Sequence, residues 1–233
     1  MNIGKHMRKE LAEESAKIAT TYLTNTKIDT TFLTDRFYPD QDPMIARIEY
    51  SLQQLINDMG WGNDPNFTET PERVTRWLRE NQGLTIKECR EKSKEDLSKR
   101  FPTKNSETVT VGPTKVFSLC PHHMLPIEYD VWVSYIPCKT VVGLSKLSRV
   151  PQNFARYPFI QEDFTEEISN AVNTSLSPKG VMVIVKGVHN CMRMRGVKQP
   201  DALTTTVSLK GVFLKPPKGK DPKGEILRLI DLG

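Results

Sequence analysis

The chain has 233 residues, of which 33 are Lys or Arg and 28 Asp or Glu, giving a formal net charge of +5. With 37% hydrophobic and 26% charged residues, a packed core is within reach and disorder of the whole chain is excluded. No run approaches the roughly 20 apolar residues of a membrane span, and the mild basicity falls short of a duplex-DNA binder.

Met1 to Glu10 is too polar for a secretory signal, so the four cysteines, Cys89, Cys120, Cys138 and Cys191, read as reduced thiols in a cytoplasmic setting. The partner expected is an anionic small molecule, with no membrane and no nucleic acid. Residues 1–42 are polar, with Leu11, Ile18 and Tyr22 sharing a weak helical face, and read as an N-terminal arm. Asp42 suits an N-cap and Pro43 a first helical position. Ile45, Ile48, Leu52, Leu55 and Met59 then form an apolar stripe that Gly60 stops. A second helix starts at Thr70-Pro71, with Val74, Trp77 and Leu78 inward and Arg73 and Arg76 on one face. Residues 86–105 are charge-dense, a helix or loop.

From Glu107 the period changes to two. Thr108 to Val111 and Val131 to Tyr135 predict two strands. Ser145 to Arg156 predicts a helix broken or kinked at Pro151, and Asp163 to Leu176 a second, with Phe164, Ile168, Val172 and Leu176 on one face. Val181 to Val185 reads as a buried strand and Thr204 to Phe213 as its partner, with Val207, Leu209 and Phe213 alternating. Lys215 to Lys223 is rich in Pro, Gly and Lys and reads as a loose tail. Two hairpins flanking two helices, after N-terminal helices, predict an α+β fold with a four-stranded antiparallel sheet. Its open edges suit completion by neighbouring subunits.

Three constellations carry chemistry. Cys120-Pro121-His122-His123 and, about seventy residues on, His189-Asn190-Cys191 place three of the four histidines within three residues of a cysteine. Thiolate and imidazole are ligands zinc prefers, and three protein ligands with an open position are a catalytic arrangement. The alternative reading is buried thiols beside surface histidines. Ser145, Lys146 and Arg149, at a helix start, and Arg195 suit a phosphate, with Arg73 and Arg76 as further cations; the alternative is an ordinary basic helix end. Gln161-Glu162 offers an amide and a carboxylate that could read a purine edge, or simply cap a helix.

Together these pieces resemble the GTP cyclohydrolase I family. The resemblance runs from about Thr70 to Phe213 through Thr70-Pro71-Glu72-Arg73, Ser118 to His123, Tyr135-Ile136-Pro137, Gly143 to Arg149, Gln161-Glu162, His189 to Gly196 and Thr204-Thr205-Thr206. It implies the tunnelling fold, with strands pooled into an oligomeric barrel, and a homo-oligomer, a decamer of two pentamers with active sites between subunits. It implies Zn2+ held by Cys120, His123 and Cys191, catalytic His122, His189 and Ser145, guanine held by Gln161 and Glu162, and phosphate contacts from Lys146, Arg149, Arg195, Arg73 and Arg76. The activity implied is hydrolysis of GTP at guanine carbon 8 to 7,8-dihydroneopterin triphosphate and formate, which feeds folate, biopterin or 7-deazaguanine routes.

The organisation implied is an arm over 1–42, a catalytic domain over 43–214 whose residues 43–105 are N-terminal helices, and a tail over 215–233. Pro121 stands where the family usually has Glu, Tyr129 where it has Gly and Tyr157 where Arg is common. These departures keep open a relative of altered nucleotide preference, and the basic tail, Lys215 to Lys223, with the N-terminal arm keeps open a zinc-stabilised oligomer that binds nucleotide without turning it over. A nitrile-reducing deazaguanine enzyme of the same fold would rely on a cysteine nucleophile, against which the thiolate-imidazole cluster argues.

Overall fold

The computed structural model describes residues 43–231, in two compact units divided after Arg76. The expected arm, its Leu11, Ile18 and Tyr22 face and the Asp42 cap lie outside the described residues.

In the first unit, helix α1 (Pro43–Asp58) buries Ala46, Glu49 and Ile56, with Ile45, Ile48 and Leu52 half-buried. Leu55 and Met59, expected inward, are exposed. The apolar stripe is turned slightly from the buried one because Glu49, a carboxylate, occupies the inward face. Burial raises the Glu49 pKa above the usual carboxylate value, and the nearby Glu72 adds to it. Helix α2 (Thr70–Gln82) runs across the division and buries Pro71 and Thr75, while Trp77, expected inward, is exposed.

In the second unit, helix α3 (Ile86–Asp96) opens with a reciprocal cap in which the Thr85 hydroxyl accepts from the Glu88 N–H and the Glu88 carboxylate accepts from the Thr85 N–H. It buries Cys89 and Ser93, so the charge-dense stretch is not all solvated. Strands β1 (Arg100–Pro102) and β4 (Thr140–Val142) pair with each other. Strands β2 (Val109–Leu119), β3 (Pro126–Ile136), β5 (Gly180–His189) and β6 (Thr204–Gly211) form one antiparallel sheet in the order β2-β3-β5-β6. Helices α4 (Leu144–Ala155) and α5 (Gln161–Leu176) lie between the two hairpins in sequence, as expected. The fold is α+β.

Helix α4 covers β2, α5 covers β5 and β6, and α3 lies outside both helices. The core between sheet and helices is Val131, Val133 and Tyr135 of β3, Val181, Val183 and Val185 of β5, Leu147, Val150 and Phe154 of α4, and all four residues expected on α5. Helix α4 continues through Pro151 to Ala155 without breaking. Strand β2 is longer than its alternation predicts, because a bulge between Val111 and Thr114 inserts one residue. Before it the odd residues Val109 and Val111 turn inward; after it the even residues Thr114, Val116 and Ser118 do.

Strand β6 keeps the expected alternation, and the expected loose tail needs correction. Thr206 and Ser208 of β6 turn toward α5, where their hydroxyls meet Thr165 and Glu166, while Val207 is exposed and Leu209 lies on the opposite sheet face. The segment expected as a loose tail ends in helix α7 (Pro222–Asp231). Its Ile226 is buried with Met182, Ile184 and Phe213 against that opposite face, so apolar residues beyond the Pro/Gly/Lys-rich run hold it. Among the described residues no helix is long and apolar enough to cross a membrane.

Candidate active site

Register brings the cysteine clusters together. Leu119 pairs with Pro126 and His189 with Ile127, so Cys120 and Cys191 leave the same end of the sheet from strands on either side of β3. The β2–β3 turn is closed by Cys120, whose carbonyl accepts from the N–H groups of His123 and Met124, the latter in the left-handed region at φ 53°. After His189 the chain makes one helical turn, α6 (Asn190–Arg193), anchored by the Asn190 side chain donating to the Pro126 carbonyl at 3.0 Å.

The ligand atoms of Cys120, His123 and Cys191 all lie within 4.8 Å of one another. The Cys120 sulfur is 3.5 Å from His123 Nδ1 and 3.8 Å from His122 Nδ1. Cys120 is buried, Cys191 half-buried and the two histidines exposed, so a cation would be reached from the solvent side. Burial raises the Cys191 pKa, and the Cys120 sulfur raises it further. A divalent cation would relieve the resistance of Cys191 to ionising, and two sulfurs with one imidazole fit zinc.

His189 stands beside this cluster. Its Nε2 is 2.7 Å from Gln161 Oε1. Gln161 Nε2 faces the carbonyls of Val185 and Thr204 and the Thr206 hydroxyl, each at 3.1 Å. With its amide nitrogen committed as donor, the Gln161 oxygen accepts, and His189 Nε2 carries the proton. Nδ1 is left as the ring nitrogen that exchanges protons. Burial lowers the His189 pKa, and the Glu162 carboxylate partly offsets this.

Gln161 is thus buried with its amide spent inside the fold, while Glu162 is exposed and open to a ligand. Arg195 reaches the cluster, donating to His123 Nε2. Pro121 is exposed in the turn.

The remaining sequence-derived cations are elsewhere. Lys146 and Arg149 both contact Asp96, at 2.9 and 3.2 Å. Burial opposes ionisation of Asp96, but hydrogen bonds from Lys146, Asn153 and Arg149 hold its carboxyl below the usual value. Ser145 is exposed. Helix α4 starts at the far end of the sheet, where the Val142 N–H donates to the Tyr135 hydroxyl, and finishes near Ser118, whose hydroxyl donates to the Tyr157 carbonyl. Twelve residues rising about 1.5 Å each put Ser145 and Lys146 on the order of 18 Å from the Cys120 end of the same chain. Arg73 and Arg76 belong to the first unit; Arg73 pairs with Glu69, just before their helix, and Arg76 with Glu72, one turn earlier on it. Sequence reasoning missed Asp96 as the partner of the Lys146–Arg149 pair and Gln161 as the anchor of His189. No sequence signal pointed to either.

A cavity of about 390 Å³ between α3 and α5 is lined by Arg90, Lys94, Arg100, Glu167 and Asn170, among others. It holds none of the sequence-derived site residues, and Arg90 is already tied to Glu167 by two hydrogen bonds.

The family model of GTP cyclohydrolase I matches residues 48–229. The chain belongs to the GTP cyclohydrolase I family. A GTP cyclohydrolase 1 of Rhodopirellula baltica is 36% identical over 87% of this chain and 86% of its own length. One of Aquifex aeolicus is 42% identical over 73% and 89%, and one of Clostridium perfringens 34% identical over 83% and 99%. Among solved structures, the archaeosine synthase QueF-Like in its apo form matches 47% of this chain and 97% of that one at 18% identity and a TM-score of 0.37.

Proposed function

We propose that this chain hydrolyses GTP at guanine carbon 8, consuming water and releasing formate and 7,8-dihydroneopterin triphosphate. The observation that carries the reading is the meeting of Cys120, His123 and Cys191 beside a histidine whose tautomer is fixed by a buried amide. Zinc held by these three residues would supply a Lewis acid that lowers the pKa of a water toward about 7, so that attack at carbon 8 proceeds at neutral pH.

Every other part falls to the chain. His189 exchanges a proton with guanine nitrogen 7 through Nδ1, the nitrogen that Gln161 leaves free. Glu162 accepts from the guanine N–H groups, a role its exposed carboxylate can fill and the committed Gln161 amide cannot. His122, exposed beside Cys120, handles protons of the opened ring and ribose. When His123 serves as a ligand through Nδ1, its Nε2 carries the proton and no longer accepts from Arg195, which is then released toward a phosphate.

Ser145, Lys146 and Arg149 are too far from the metal end to serve the same chain's cluster. We assign them to the site of a neighbouring subunit in a homo-oligomer whose sheets join along the open β2 and β6 edges into a barrel. Arg73 and Arg76 are assigned, as further cations, to a neighbour's triphosphate.

The test is zinc content per chain together with formate and pterin formed from GTP. One zinc per chain is expected, with pterin absorbance appearing on adding GTP and vanishing in Cys191→Ala or with a chelator. Zinc-loaded protein that leaves GTP intact overturns the reading. Faster turnover of dGTP or GDP than of GTP would instead show a changed nucleotide preference.

A further inference from the structure

The second unit carries a cavity that the GTP reading leaves without a role, about 390 Å³ between α3 and α5. Its origin lies in side-chain size. Helix α5 lines it with Glu167, Asn170, Ala171, Thr174 and Ser175, spaced by three and four and so on one stripe, and the last three are short. Glu167 spans the space to α3, where Arg90 donates to its carboxylate at 2.9 and 2.6 Å. Past that pair the short side chains leave the space unfilled.

The charges around it do not balance. Arg90 and Glu167 satisfy each other in a bidentate pair. Lys94, one turn on from Arg90 on the same face of α3, and Arg100, placed by the pairing of β1 with β4, add two further cations. Among the described residues neither meets a carboxylate. The Arg100 side chain donates only from Nε, to the Leu97 carbonyl at 3.4 Å, so the outer N–H groups of its fork have no partner there. Asn170, Thr174 and Ser175 add polar side chains on the facing wall, and Ala171, packed against the core, adds an apolar patch between them.

A cavity of this size takes a small organic ligand. Two unpaired cations beside hydroxyl and amide donors match a dianion. A phosphate monoester carries close to two charges at neutral pH and three acceptor oxygens. We propose that this cavity binds a phosphate monoester of a small aromatic body, its phosphate held by Lys94 and Arg100 and its ring laid on Ala171.

The site is separate from the residues assigned to GTP. Ala171 comes ten residues after Gln161, about 15 Å along α5 from the His189 end. Lys146 and Arg149 contact Asp96, which sits about 200° around α3 from Lys94. The inference therefore does not rest on the GTP reading.

Phenyl phosphate is the probe, titrated calorimetrically into the full chain in phosphate-free buffer. It is expected to bind about tenfold or more tightly than inorganic phosphate, which lacks the ring, and than benzoate, which carries one charge. Lys94→Gln and Arg100→Gln are each expected to weaken it by about tenfold or more. Ala171→Leu fills the cavity without touching charge and is expected to abolish binding. Lys146→Ala is expected to bind the probe as the wild type does.

Phenyl phosphate held no better than inorganic phosphate overturns the proposal, as does undiminished binding by Arg100→Gln and Ala171→Leu. Loss of binding in Lys146→Ala also overturns it, because the probe would then sit on the contacts assigned to GTP. None of these outcomes touches the GTP reading, which formate release tests by itself.

Discussion

Gln161 carries two jobs on one amide: its nitrogen ties α5 to β5 and β6, and its oxygen holds His189. Gln161→Leu leaves buried carbonyls unpaired, and a loss of about 2–4 kcal/mol in urea unfolding is expected. Formate release should fall mainly in kcat and little in KM, since the free His189 tautomer is lost while guanine is still bound by Glu162. That the two cysteine–histidine clusters meet was legible in the sequence because few residue types ligate zinc and three of the four histidines sit close to cysteines. The work of Gln161 was not legible, because its partners Val185, Thr204 and Thr206 come from strands 24 or more residues away and only the folded sheet collects them.

Among the elements, α3 and α4 are joined by Asp96, which accepts from Lys146, Arg149 and Asn153. The Asp96 carboxyl is held below its usual value, and Glu166 is likewise lowered by Lys210 and Ser208 against the opposing effect of burial. Such groups contribute stability that is fully present above the unfolded carboxylate range near pH 4 and is lost as pH falls through their lowered folded values. Thermal melts from pH 6 down to pH 2 are expected to show the midpoint dropping below about pH 4, with a shallower drop in Asp96→Asn. That variant should also start about 2 kcal/mol less stable at neutral pH.

Helix α5 ends at Ser177 in the left-handed region, φ 45°, so Ser177→Gly is expected to stabilise the fold by about 1 kcal/mol in urea titration. The α5 helix was legible because its apolar period is clean. Strand β2 was legible only in part because its bulge breaks the alternation, and α7 was hidden behind a run of Pro, Gly and Lys. Ile226→Ala should cost about 2–4 kcal/mol, which would confirm that α7 is docked and not loose.

At the scale of the whole molecule, β2 and β6 each have one free edge among the described residues, and each exposes an apolar residue, Phe117 and Val207. The Cys120–His123–Cys191 cluster and the Lys146–Arg149 pair sit toward opposite ends of α4. Both observations favour a site finished by a second chain, which composition alone could not reveal. Lys146→Ala and Cys191→Ala, each inactive alone, are expected to recover activity when unfolded together and refolded as mixed oligomers, up to about a quarter of wild type if one chain supplies each half. Mixtures that stay dead would place both halves in one chain.

The extra residue between Val111 and Thr114 also sets the numbering parity of the buried face. Upstream of it the odd positions meet the helices; downstream the even ones do, and Cys120 inherits that parity. Deleting Pro113 would restore simple alternation and leave Thr114 opposite Val131 and every later pair as it stands, so Cys120 would keep its face. The bulge is therefore a place where this strand can lose a single residue without turning the Cys120 side chain over, a tolerance that substitution experiments would never uncover.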